Sequence, residues 1–266
     1  VRVFRWCLGE VIEACRDREC RRCGLWEDCR GRAKSGDGYY AVEDALAQKR
    51  RSSGQAWRAE MLCQRPSCAE AVFPEFVPAV HVREAGYNPD WPLYRSLDFG
   101  FSNPLVCLFV QVDERENVYV IDEHLKSRAT VAEQVRLIRE RYPQEAAATF
   151  CDPAGRQKRE ITGTSVVQEL AALGMPVRWR ASGVAEGIER IRSFLAPAAG
   201  PARLFVAPRC QQLIAAFQAL RYARLGSGAL SESPEKDGVH DHVMDALRYF
   251  FVNRFGRRYE VRGKRY

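Results

Sequence analysis

The chain has 266 residues, 46% hydrophobic and 28% charged, a globular composition with room for one good-sized domain and a smaller one. Its longest apolar run, around Pro104 to Val112, is strand length and well short of the ~18 residues of a membrane span. The first thirty residues are studded with Arg and acids, so neither a membrane helix nor a secretory leader is expected. The formal charge is +7, and of the 41 basic residues only six are Lys. Arg offers a planar fork of donors that suits phosphate, which favours a nucleic-acid partner, although a solvated Arg-rich surface gives the same count.

In chain order, cysteines come first. Cys7, Cys15, Cys20, Cys23 and Cys29 fall within thirty residues, and the run Cys15-x4-Cys20-x2-Cys23-x5-Cys29 offers four thiolates at short spacings. Tetrahedral Zn²⁺ takes four soft ligands at about 2.3 Å, and a C-x2-C step brings two together. An iron–sulfur cluster could use the same four, and free cytosolic thiols are the simpler alternative. A metal knuckle of this size has too little core to fold alone, so its role would be structural or a grip on DNA or protein. Residues 1–70 thus read as a Cys-rich region and a candidate zinc binder. Pro74, Pro78, Gly86, Asn88 and Pro89 mark 71–91 as an extended linker.

The pattern then becomes regular. Strands are predicted over Tyr94 to Phe99, Leu105 to Val112 and Val118 to Ile121, the last two joined by a turn at Glu114 to Asn117. Helical spacing follows over Val131 to Tyr142, then a buried strand over Ala146 to Cys151. Helix Ser165 to Leu173, strand Val177 to Trp179, helix Ile188 to Leu195, strand Arg203 to Val206 and helix Cys210 to Tyr222 continue the alternation. A loop from Leu225 to Gly238 leads to a final helix, Asp241 to Asn253. Cys107 and Cys151 lie in apolar strands and read as core. Three strands in a meander followed by alternating helices and strands is the order of a ribonuclease H-like α/β fold, a mixed sheet flanked by helices. No G-x-x-x-x-G-K-[ST] loop occurs, so no ATPase motif is visible in this chain.

Carboxylates close two of these strands. Asp98 ends the first and Asp152 the fourth, while the last helix opens with Asp241, His242 and Asp245. If the first and fourth strands are neighbours, Asp98 and Asp152 meet side by side at one sheet edge, and a helix across that edge adds a third acid. Asp241, Asp245 and Arg248 share one polar stripe, with His242 beside it. Converging acids repel unless cations neutralise them. Two Mg²⁺ or Mn²⁺ ions would do so, and would activate water and stabilise the leaving oxygen of a phosphodiester. Each acid also has an ordinary role, Asp98 and Asp152 opening turns and Asp241 capping the helix. After Asp152, the basic residues Arg156, Lys158 and Arg159 sit in a Gly-flanked loop suited to a phosphate backbone. The basic tail 257–266 interleaves Arg with Tyr, as a strand-tracking or a simply solvated terminus would.

At these residues the sequence resembles the nuclease domain of tailed-phage terminase large subunits, over about Pro92 to Phe255. The carriers are Ser96-Leu-Asp-Phe-Gly-Phe101, Val118-Tyr-Val-Ile-Asp-Glu123, Phe150-Cys-Asp-Pro-Ala-Gly155 and His240-Asp-His-Val-Met-Asp-Ala-Leu-Arg-Tyr249. The resemblance implies a nuclease domain over 92–256 and a metal-dependent endonuclease that cuts concatemeric DNA during genome packaging. Asp98 and Asp152 match the first two metal-binding acids. Asp245 supported by His242 fits one branch for the third, and Asp241 fits branches with an HDD motif, whose second D is here His242. It also implies double-stranded DNA, a packaging ATPase, a small terminase and a portal as partners, in the host cytoplasm with transient docking on the procapsid. The ATPase would precede residue 1 or be a separate chain. The alternatives are another ribonuclease H-like nuclease, such as a resolvase or transposase core, and a non-catalytic zinc-dependent DNA-binding adaptor.

Overall fold

The computed structural model describes residues 6–64, 70–99, 105–152, 165–226, 229–238 and 240–256. The N-terminal region is built from short pieces. Helices α1 (Leu8–Val11), α2 (Trp26–Cys29), α3 (Val42–Arg51) and α4 (Gly54–Ala56) are separated by turns, and α4 runs on into a wider helical turn at Trp57–Met61. Leu8, Ile12, Leu25, Ala33, Val42, Ala45, Leu46 and Trp57 form its core. Lys49 is buried there and satisfied, its Nζ meeting Asp28 Oδ2 at 2.6 Å and Gly24 O at 2.8 Å.

The Pro-marked segment holds only the single-turn α5 (Pro78–His81). It is not a bare linker: Val72, Phe73 and Phe76 are buried in the main core, and Phe76 stacks on Phe217 at 4.4 Å. Proline removed the regular pattern without removing the apolar residues that bind the segment to the domain.

The main domain carries β1 (Leu93–Phe99), β2 (Leu105–Val112), β3 (Val118–Lys126), α6 (Val131–Arg141), β4 (Ala148–Phe150), α7 (Val166–Ala172), β5 (Val177–Arg178), α8 (Val184–Leu195), β6 (Leu204–Val206), α9 (Gln211–Ala219), β7 (Tyr222–Arg224), β8 (Leu230–Pro234) and α10 (His240–Phe255). Six strands form one sheet in the order β5-β4-β1-β2-β3-β6, with β1–β2–β3 an antiparallel meander and β4, β5 and β6 parallel to their neighbours. Helices α8, α9 and α10 cover one face and α6 and α7 the other. That is why all eight residues of β2 are buried: Val106, Leu108 and Val110 face one layer, Cys107 and Phe109 the other. The architecture is the ribonuclease H-like mixed sheet that the element order predicted.

Several boundaries differ from expectation, among them the helix read over Cys210 to Tyr222, which stops at Ala219 and gives way to β7, and three others differ for a visible local reason. β3 runs beyond Ile121 because two acids are neutralised within the fold. Arg141 Nε and Nη2 donate to Asp122 at 2.7 and 2.9 Å, and Glu123 accepts the N–H groups of Gln212 and Leu213 at the start of α9. Helix α8 begins before Ile188 and includes Gly187, whose bare Cα lets Arg248 of α10 approach. The loop after Leu225 contains β8, which folds back on β7. Among the described residues no helix is long and apolar enough to cross a membrane.

Candidate active site at the end of strands β1 and β4

Side chains of β1 alternate across the sheet: Leu93 and Leu97 pack in the layer of α6 and α7, whereas Tyr94, Ser96 and Asp98 meet α10. His242 Nδ1 bonds Asp98 Oδ2 at 2.7 Å, Ser96 Oγ donates to the Ala246 carbonyl at 2.6 Å, and the Tyr94 and Phe250 rings lie 5.7 Å apart. Helix positions 242, 246 and 250 thus pair with strand positions 98, 96 and 94. Four helical residues rise about 6 Å and two strand residues about 6.6 Å, so the contacts stay in step as α10 runs antiparallel to β1. This ladder fixes how far α10 slides along the sheet, and hence which of its acids arrives at Asp98.

The parallel pairing of β1 and β4 brings in Asp152. Ser96 is opposite Phe150, and the next position on the same face of each strand is Asp98 and Asp152. The expected adjacency of these strands is therefore present, at the C-terminal ends of two inner strands rather than at a lateral edge of the sheet. Asp98 is buried and Asp152 half-buried.

The electrostatics tie these groups together. Burial pushes the Asp98 carboxyl up from its ordinary value; Asp245 and Asp152 push it further, and the His242 bond opposes them. That bond with Asp98 is the main cause raising the His242 imidazole, with Asp241 and Asp245 adding to it. The Tyr249 hydroxyl is raised by burial, then by Asp245 and Asp98. Arg248 Nε holds Asp245 Oδ1 at 2.9 Å, orienting that carboxylate.

Among the described residues no three His, Cys, Asp or Glu side chains already stand as a metal-ligand set. The local reason is visible: Asp98 is engaged by His242 and Asp245 by Arg248. The donor chemistry nevertheless fits a hard divalent cation, since the converging groups are carboxylates. Asp241 Oδ1 adds a buried acceptor with no hydrogen-bond partner, the kind of orphan a cation satisfies.

Of the other predicted residues, Cys15, Cys20, Cys23 and Cys29 line a single small cavity in the N-terminal region. Arg156, Lys158 and Arg159 lie outside the described residues, as does the basic tail 257–266. Cys107 and Cys151 are core residues as read, and burial pushes both thiols up to about 12. Sequence reasoning missed Ser96 and Gly187. Ser96 was within reach, two residues before Asp98 and so on the same face of the strand. Gly187 gave no such signal, because its partner Arg248 is distant in sequence.

A mixed sheet with acids at the ends of adjacent parallel strands, and a helix bringing further acids across them, defines the ribonuclease H-like class. Residues 95–254, more than half of the chain, match the model of the terminase RNaseH-like domain family, and the chain belongs to that family. Solved structures agree on the fold. The large terminase of a thermophilic bacteriophage superposes with a TM-score of 0.63 at 17% identity, over 79% of this chain and 52% of that one. The nuclease domain of the P22 large terminase gives 0.54 at 18% identity, over 70% of this chain and 93% of that one. The SPP1 large terminase nuclease domain, solved with bound Mn, gives 0.50 at 18% identity, over 68% and 97%. The chain spans about half the length of the thermophilic phage's terminase. No curated protein sequence matches it.

Proposed function

We propose that this chain is the nuclease part of a phage packaging terminase, a metal-dependent endonuclease that cuts concatemeric double-stranded DNA during genome packaging. The observation that carries the reading is the pairing of β1 with β4, which puts Asp98 and Asp152 at matching strand ends, with α10 laid across them so that His242 bonds Asp98. Family membership and the manganese-bound SPP1 nuclease domain support it.

In this reading Asp98, Asp152 and Asp245 hold two Mg²⁺ or Mn²⁺ ions, with the orphaned oxygen of Asp241 as the alternative donor. Bound there, the ions would supply activation of water and neutralisation of charge on the scissile phosphate, leaving 3′-hydroxyl and 5′-phosphate ends. His242 orients Asp98 through its Nδ1 bond, and Arg248 keeps the Asp245 carboxylate turned to a fixed angle. Arg156, Lys158 and Arg159, following Asp152 in sequence, would grip the DNA backbone. The wider assembly, with packaging ATPase, small terminase and portal on a procapsid in the host cytoplasm, belongs to the same proposal.

The test is nicking of supercoiled plasmid by purified protein with Mn²⁺, Mg²⁺ or EDTA. Asp98→Asn and Asp152→Asn should abolish metal-dependent nicking, and His242→Ala, which removes a positioning contact, should reduce it about 10–100-fold. Undiminished cleavage by the Asp variants would sink the assignment of the site. Absence of cleavage by folded wild-type protein with either metal would favour the DNA-binding adaptor.

A further inference from the structure

The N-terminal region has fewer means of holding itself together than its length requires. Helices α1 and α2 are one turn each, with a single turn between them at Cys20–Arg22 and another after α2 at Arg32–Ser35. Helices this short do not persist by themselves. No described cysteine is in a disulfide.

Four cysteines from separate local elements border one space there. Cys15 lies in the extended segment after α1, where its N–H donates to Ala33 O at 2.7 Å. Cys20 opens its turn and Cys23 closes it, with the Cys23 N–H on Cys20 O at 3.1 Å. Cys29 ends α2. All four line one cavity of about 20 Å³, just above the ~10–15 Å³ that admits one water-sized guest. Two further features fit a metal-bound set of sulfurs. The Ala33 N–H donates to Cys29 Sγ at 3.3 Å. Arg18 and Lys34 also line the cavity, and four thiolates around a divalent cation would leave a double negative charge opposite those two side chains. Lys34 Nζ is already fixed on the carbonyls of Arg16 and Arg18, at 3.2 and 2.8 Å, which sets the path of the Cys15–Cys20 loop.

We propose that Cys15, Cys20, Cys23 and Cys29 form a structural tetrathiolate Zn²⁺ site that folds the N-terminal region. The thiols border a shared space without yet closing on a ligand geometry, so binding asks their side chains to turn inward to the ~2.3 Å of a Zn–S bond. A soft, all-sulfur donor set is what distinguishes this site from the carboxylate cluster, and the two do not depend on each other. Hydrogen bonds that tie this region to the sheet domain include Ser53 N–H to Glu189 Oε1 at 3.0 Å, Gly54 N–H to Ala196 O at 2.8 Å, and Ala198 N–H to Ser52 O at 3.0 Å. Zinc loss should therefore loosen the region while the sheet stays folded.

Elemental analysis of the whole chain, purified under reducing conditions, should find about one zinc per chain. Asp98→Asn and Cys63→Ser should retain it, whereas the double variant Cys23→Ser/Cys29→Ser should lose it. Limited proteolysis after chelation should cut before residue 64 and spare the sheet domain. Should the double variant fail to fold, Co²⁺ titration of chelated wild-type chain reads the same site through the intense absorption of tetrahedral Co–thiolate. Folded wild-type protein without zinc, equal zinc in the double variant, no Co–thiolate spectrum, or iron with acid-labile sulfide in place of zinc would each overturn the proposal.

Discussion

The sheet domain and the N-terminal region are packed on different principles. β2 buries eight residues in succession between two helical layers, so its stability is shared among α6, α8, α9 and α10. In the N-terminal region eight buried apolar residues are spread from Leu8 to Trp57, on elements that cannot stand singly. Burial of apolar area can hold a sheet to its helices without help. A region whose core is spread this thinly depends on point attachments: the Lys49–Asp28 pair, the links to α8 and, on our proposal, a metal.

The largest effect should come from a matched pair of truncations. Phe250 is fully buried and touches the rings of Tyr94, Phe150, Phe251 and Phe255. Phe250→Ala should cost about 3–5 kcal/mol and, by loosening the α10 ladder, abolish nicking as well. Trp57→Ala deletes a comparable ring from the N-terminal core but should lower only a separate N-terminal transition, with nicking retained. Thermal unfolding followed by circular dichroism and by proteolysis checks both. A single shared transition lowered equally by the two would erase the distinction between the regions.

A smaller effect is expected where α8 and α10 touch. A Cβ on Gly187 would lie 2.2 Å from Arg248 Cγ and 2.6 Å from its Cδ. Gly187→Ala should displace Arg248 at a cost of about 1–3 kcal/mol, partly offset by the better helix propensity of Ala. With Arg248 moved, Asp245 loses its orienting partner, so the Mn²⁺ concentration needed for half-maximal nicking should rise. Unchanged metal dependence in a destabilised variant would confine Arg248 to packing.

The smallest is a pH effect at the segment joining the two regions. Burial raises the Glu75 carboxyl above its ordinary 4.5, with Arg192 opposing. A raised folded value means that protonation favours the folded chain. Its stabilisation is full below 4.5 and is lost as pH rises through the folded value. Glu75→Gln should therefore gain stability relative to wild type as pH increases across that window. Melting temperatures at about pH 4 and 7 test this, and a difference that shrinks with pH would reverse the sign.

Much of the sheet domain was legible because its periodicities are local. Alternation and unbroken apolar runs marked β1 and β2, and helical spacing marked α6. Asp98, Asp152, Asp241, His242 and Asp245 could be singled out because acids at strand ends and at a helix start stand out against the apolar pattern. Where the reading went astray, the deciding partner was remote. Asp122 and Glu123 looked like the end of β3 until Arg141 and the N-terminus of α9 were in place. Val72, Phe73 and Phe76 looked like linker until α9 supplied Phe217.

Element types, the alternation that gives a mixed sheet, and the carboxylates and thiols available for chemistry can be read along the chain, because each depends on residues within a few positions of one another. Packing in three dimensions sets β4 beside β1, stops the slide of α10 where His242 meets Asp98, and brings four cysteines to the border of one cavity. Those outcomes depend on contacts between residues as far apart in sequence as Asp98 and His242. Such contacts are set by the packing of whole elements, which no local pattern encodes.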